Sequence, residues 1–138
     1  MPTARFPIRL GRRSRPLLRL FGVGGPEDAW VELRDHDLEA RFGWSRAVTP
    51  VSNITRWRIE GPWLWITAIG VRRSVRHGDI TFGGTHRGGV RLDFAERVQV
   101  GPFRVPALYV TVADLDGLAA ALARRGIQGV DARKRVLP

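Results

Sequence analysis

The stretch Leu108-Tyr109-Val110-Thr111-Val112-Ala113-Asp114-Leu115-Asp116-Gly117-Leu118-Ala119-Ala120-Ala121-Leu122-Ala123-Arg124-Arg125-Gly126 decides the fold class. It opens as a strand, Leu108 to Val112, rich in β-branched and aromatic residues. The period then changes. Asp114 is placed to cap a helix, Leu115, Leu118, Ala119 and Leu122 recur at helical spacing, and Arg124-Arg125 put positive charge on the last turn before Gly126 stops it. This predicts a single C-terminal helix at about 115–125, roughly 16 Å long at 1.5 Å per residue.

Working back from that helix, alternation with a period of two dominates. Val31 and Leu33 face one way, and Trp30, Glu32 and Arg34 the other. Past Asp35-His36-Asp37, the residues Leu38, Ala40, Phe42 and Trp44 oppose Glu39 and Arg41, so the two runs read as a hairpin with one buried face. A third run after Asn53 sets Trp57 and Ile59 against Arg56 and Arg58, and Gly61-Pro62 ends it. Trp63 to Val75 is apolar and then basic, and fits a strand or an irregular segment. Ile80 and Phe82, then Val90, Leu92 and Phe94, read as a second hairpin around the glycine-rich Gly83–Gly89. Six to eight short strands and one terminal helix predict a mainly β (α+β) protein, an antiparallel β-roll or barrel capped by one short helix. Its expected core includes Val31, Leu33, Phe42, Ile80, Leu92 and Val110.

Composition bounds what such a domain can do. The chain has 138 residues, 43% hydrophobic and 26% charged, which suits one globular domain rather than disorder. Having no cysteine, it can form no disulfide, thiolate zinc site or cysteine nucleophile. No run approaches the roughly 18 apolar residues of a membrane helix. Arg9, Arg12, Arg13, Arg15 and Arg19 interrupt the N-terminal apolar residues that a secretory signal would need, so the expected location is the cytoplasm. The formal charge is +10, and of 23 basic residues all but Lys134 are arginine. Six of them, Arg5, Arg9, Arg12, Arg13, Arg15 and Arg19, lie in residues 1–19 without an acid. The expected organisation is a basic arm at 1–16, a β-barrel domain at 17–127 and a basic tail at 128–138.

Two segments carry a resemblance. One is Gly70-Val71-Arg72-Arg73-Ser74-Val75 running through Gly78–Gly83 to Arg87-Gly88-Gly89-Val90, and the other is Leu108–Asp114 leading into Gly117–Leu122. With Ser52-Asn53-Ile54 and Gly61-Pro62, they resemble an uncharacterised actinobacterial protein family with a pleckstrin-homology-like barrel over about residues 30–125. That family brings no assigned activity and no site residues. Pleckstrin-homology domains proper hold phosphoinositides with basic residues flanking their first loop. Here that loop is Gly24-Gly25-Pro26-Glu27-Asp28, which is acidic, so no phosphoinositide recognition is expected.

Each candidate motif has an ordinary explanation beside it. Asp35-His36-Asp37 offers metal ligands but reads as a polar turn. Gly22-Val23-Gly24-Gly25 and Gly83–Gly89 lead into no helix and lack the lysine of a phosphate loop, so they read as turns. Ser14, Ser45, Ser52 and Ser74 lie in no elbow motif, and His36, His77 and His86 lie in or beside turns; no catalytic set emerges and no cofactor is expected. The five tryptophans are expected in the core or at its rim. Arg5 to Arg19, with Arg72, Arg73, Arg76 and Arg87 around the central hairpin, are the candidates for contact with an anionic partner. The expected function is a non-catalytic binding or adaptor module for an acidic partner, foremost a protein. Alternatives are non-specific nucleic-acid or anionic-membrane binding through the arginine arm, and a small-molecule binder or enzyme using the barrel interior.

Overall fold

The computed structural model describes residues 3–8, 10, 19, 22–60, 70–73, 80–83 and 88–132, with backbone only for 26, 70–73 and 80–83. Among the described residues, ten strands and one α-helix follow in chain order: β1 (Ala4–Pro7), β2 (Ala29–Leu33), β3 (Asp37–Phe42), β4 (Ser45–Pro50), β5 (Ile54–Glu60), β6 (Gly70–Arg73), β7 (Ile80–Gly83), β8 (Gly89–Val100), β9 (Phe103–Val110), α1 (Leu115–Arg124) and β10 (Gly129–Asp131). The described strands form two sheets, β1-β2-β3-β4 and β10-β5-β8-β9-β7-β6, and not one closed barrel. The first sheet is antiparallel throughout. The second is mixed, because β7 runs parallel to β9 and β10 parallel to β5.

Alternation places one face of each sheet inward. Val31, Leu33, Leu38, Ala40 and Phe42 from the first sheet meet Ile59, Val90, Leu92, Leu108 and Val110 from the second in one buried cluster. Of the expected core residues, all but Ile80, whose side chain lies outside the described residues, are buried. The helix stands where its periodicity puts it, capped by Asp114, whose carboxylate accepts the Gly117 N–H at 2.9 Å. Buried Leu118 and Leu122 close it onto the core, with β5 and β8 the strands it packs against. Among the described residues no helix is long and apolar enough to cross a membrane.

Several expectations are corrected. Ile80–Phe82 and Val90–Phe94 do not pair as a hairpin: β7 lies between β6 and β9, and β8 takes β9 as its hairpin partner around Gly101-Pro102. That tight turn closes a shorter loop than the glycine-rich segment would. Trp44, expected on the inner face, is 79% exposed. Gly43, with φ at +59°, reverses the chain in a two-residue connection, so Trp44 leaves the strand and lies on the Gly22 backbone. The assigned arm and tail also contribute to the sheets, as β1 and β10. Ile8 bridges Val112, and the Ala113 N–H donates to the Pro7 carbonyl at 2.8 Å, tying β1 to the end of β9.

On the outer face of the first sheet, five charges alternate in sign across all four strands. Arg5 meets Glu32 at 2.6 Å, Glu32 meets Arg34 at 2.9 Å, and Glu39 lies 2.5 Å from both Arg34 and Arg46. Glu32 and Glu39 stand directly opposite in register, a repulsive pair that Arg34 bridges. Trp30, on the side of its strand opposite Val31 and Leu33, is buried as expected of a core or rim tryptophan, with the Arg5 guanidinium 4.3 Å from its ring centre.

Hydrogen bonds from Arg5 and then Arg34 hold the Glu32 carboxyl below its ordinary value of 4.5. A carboxylate whose folded pKa is lowered adds stability above its unfolded pKa, and that addition is lost as pH falls through the folded value. Denaturant midpoints measured from pH 7 down to about 3 should therefore fall in the acid range, and less steeply in Glu32→Gln. A second prediction concerns β10. Gly129 lies flat on the Trp57 ring, with no room for a Cβ. Gly129→Ala should release β10 from β5, seen as accelerated amide exchange at Ala132, whose N–H donates to the Ile59 carbonyl at 2.8 Å.

Candidate functional site

Arg5, first of the expected contact residues, is already engaged by Glu32 and Trp30 within the first sheet. Arg19 is exposed. Arg72 and Arg73 lie in β6, their backbones in register with Thr81 and Ile80. Arg9, Arg12, Arg13, Arg15, Arg76 and Arg87 lie outside the described residues. The outer face of the first sheet is balanced in charge, since Arg34, Arg41 and Arg46 also each have a carboxylate within 4 Å. On the second sheet, Arg56 and Arg91 share Asp93 at 3.3 and 3.0 Å, while Arg58 is 3.7 Å from Glu60. Exposed pairs like these add little stability, but they do use up the charge.

A different place in the fold brings together unengaged cations. Where the edge of the first sheet approaches the middle of β8, a groove of about 700 Å³ opens, with Val48, Pro50, Ser52 and Asn53 on one wall and Arg97 and Arg104 among the residues of the other. Both arginines are exposed, and neither makes an ion pair or hydrogen bond to a described residue. The strand departure that aims them can be read from the ladder. Asp93 pairs with Ala107, but the next pair is Val98 with Val105, so three more residues separate the pairs on β8 than on β9. The β8 chain bulges out over residues 94–97 and carries Arg97 with it. Pro106 sits opposite the bulge, at a position of β9 that has no register partner on β8, where a missing N–H is tolerated.

Asn53 holds the bulge in place. Its side-chain amide donates to the Glu96 carbonyl at 2.8 Å, and its side-chain oxygen accepts the Glu96 N–H at 2.7 Å. One amide thus satisfies both main-chain groups of Glu96, within the bulge. It also donates to the Thr49 hydroxyl at 3.1 Å, which fastens the bulge of β8 to the end of β4. The bulge is thus tied to the first sheet, and the groove is lined by two arginines whose side chains have no partner among the described residues and by one carboxylate, Glu96. The planar arginine fork suits carboxylate or phosphate oxygens.

Neither Arg97 nor Arg104 figures among the residues expected from sequence. The legible signal is Gly101-Pro102, a turn between two alternating runs that places Arg104 opposite Gln99. The bulge leaves no such mark. Asp35-His36 forms the bend between β2 and β3, and among the described residues no three His, Cys, Asp or Glu side chains cluster as a metal site would require.

Asn53→Ala removes two hydrogen bonds to the bulge at a partly solvated site, and should lower stability by about 1–2 kcal/mol in urea titrations. Asn53→Asp retains only the acceptor half and should recover part of the loss. No family model, curated protein or solved structure matches the chain.

Proposed function

We propose that this chain is a non-catalytic binding module of pleckstrin-homology-like architecture, and that it takes an acidic protein segment into the groove between its sheets. The architectural part rests on the order of parts: a meandering four-stranded sheet, a second sheet and a helix after the last long strand. The absence of cysteine fits work in the reducing cytoplasm.

One observation carries the binding part. The Arg97 and Arg104 side chains have no partner among the described residues, whereas Arg5, Arg34, Arg41, Arg46, Arg56, Arg58 and Arg91 each lie within 4 Å of a carboxylate. Guanidiniums left in this state beside a concave surface are positioned for a ligand's anions rather than for the fold. A protein segment is favoured over nucleic acid because the same groove contains Glu96 and the apolar surfaces of Val48 and Pro50. Phosphate backbones are bound by surfaces of one sign; a mixed wall discriminates between side chains.

The test is fluorescence anisotropy with a labelled octapeptide of alternating Glu and Val, alongside its Lys-Val counterpart and a DNA duplex, at about 50 and 200 mM salt. The acidic peptide should bind and the basic one should not. The double variant Arg97→Glu, Arg104→Glu should weaken binding at least about tenfold, equivalent to 1.4 kcal/mol. Undiminished affinity in the double variant, or tighter binding of the duplex than of the peptide, would refute the reading.

A further inference from the structure

The wall of the groove opposite the arginines is the outer edge of a sheet, and its main-chain groups can be assigned. In the β3–β4 register, Leu38 pairs with Thr49 and Ala40 with Ala47. The Val51 N–H donates to the His36 carbonyl at 2.9 Å, one step further along the same register. Main-chain groups of an antiparallel strand alternate in direction. Ala47 and Thr49 therefore turn their N–H and C=O toward β3, as Val51 does, and Arg46 and Val48 turn theirs outward. Among the described residues nothing hydrogen-bonds to the main chain of Arg46 or Val48 on that side, and β4 ends its sheet. Pro50, the next outward position, has no N–H to leave unpaired, which is where an edge strand tolerates proline.

We infer that the acidic segment binds as an added β-strand along β4, its main chain hydrogen-bonded to Val48 and Arg46 and its carboxylates reaching across to Arg97 and Arg104. The inference rests on the groove being the site for an acidic partner, and it specifies the conformation in which that partner is held. Strand addition draws affinity from main-chain bonds and selectivity from what alternate side chains meet. A strand pairs at about 4.8 Å from its neighbour, and the five residues Arg46–Pro50 offer an edge of about 16 Å, enough for four or five residues of a guest. Charge selects the guest. A second copy of this chain would bring another formal +10 against the same arginines, so edge-to-edge self-pairing is opposed and an acidic strand is not.

Val48→Pro tests this directly. It removes one outward N–H, leaves the β3–β4 ladder untouched, and repeats at 48 what Pro50 already does two residues on. Affinity for the Glu-Val octapeptide should drop at least about tenfold with the melting temperature held. Should the variant unfold, the same question is put to the natural protein with two octapeptides, N-methylated on alternate amides in one register or the other. One should bind like the unmodified peptide and its counterpart should not. Equal affinities for both methylated forms, or wild-type affinity in a folded Val48→Pro, would overturn strand addition while leaving the arginine groove as the site. Absence of any binding by the unmodified peptide would overturn both.

Discussion

β8 makes two different sets of contacts along its 12 residues, and the change from one to the other shapes the whole molecule. Its first half lies between β5 and β9 and buries Val90, Leu92 and Phe94. Past the register shift that follows Asp93, it leaves β5 and comes close to β4, with Val98 and Val100 buried. A straight strand could not serve both sheets, because a continuous ladder would carry it along one of them. The three-residue excess over β9 is thus what lets two separate sheets share one apolar interior. It also leaves polar main chain exposed, which Asn53 covers from the end of β4.

The positive charge has two fates in this fold. Across the first sheet, arginines alternate with carboxylates so regularly that the face is a lattice of pairs, with Glu39 nearly covered by its two partners. Such a lattice aligns four strands and keeps the tryptophan at position 30 under a guanidinium, but it offers a partner little free charge. Around the bulge, Arg97 and Arg104 have no such partners among the described residues. The net charge of the chain says nothing about this division; only the neighbours of each arginine do.

An open strand edge is ordinarily a hazard, and β4 shows two of the usual precautions. Its outward face ends in a proline, and an arginine lies at its start. Both discourage pairing with another copy of a basic chain. Neither blocks the central position, Val48, where the main chain is open and the opposite wall is cationic. Architecture, edge protection and charge are therefore compatible with a groove that admits an acidic strand and resists a basic one.

Much of the fold was legible from local periodicity. Leu115, Leu118, Ala119 and Leu122 specify a helix wherever they occur, and the alternation through Val31, Leu33, Leu38, Ala40 and Phe42 requires strands with one buried face, because each pattern depends only on residues a few positions apart. The absence of cysteine and the arginine count are likewise properties of the chain alone. Which strands pair is a long-range question: β7 and β8 alternate as hairpin partners should, yet β9, apolar enough to be flanked on both sides, takes a place beside each of them. Trp44 follows the alternation of β3 in sequence and departs from it in space because Gly43 turns the chain one residue earlier. The candidate site belongs wholly to this second category. Arg97 and Arg104 read as two arginines among 22 until a bulge, a turn and one asparagine side chain 43 residues from its partner set them across from an open strand edge. Sequence fixes what each segment can bury, but which cations remain unpaired depends on neighbours that only the folded chain brings together.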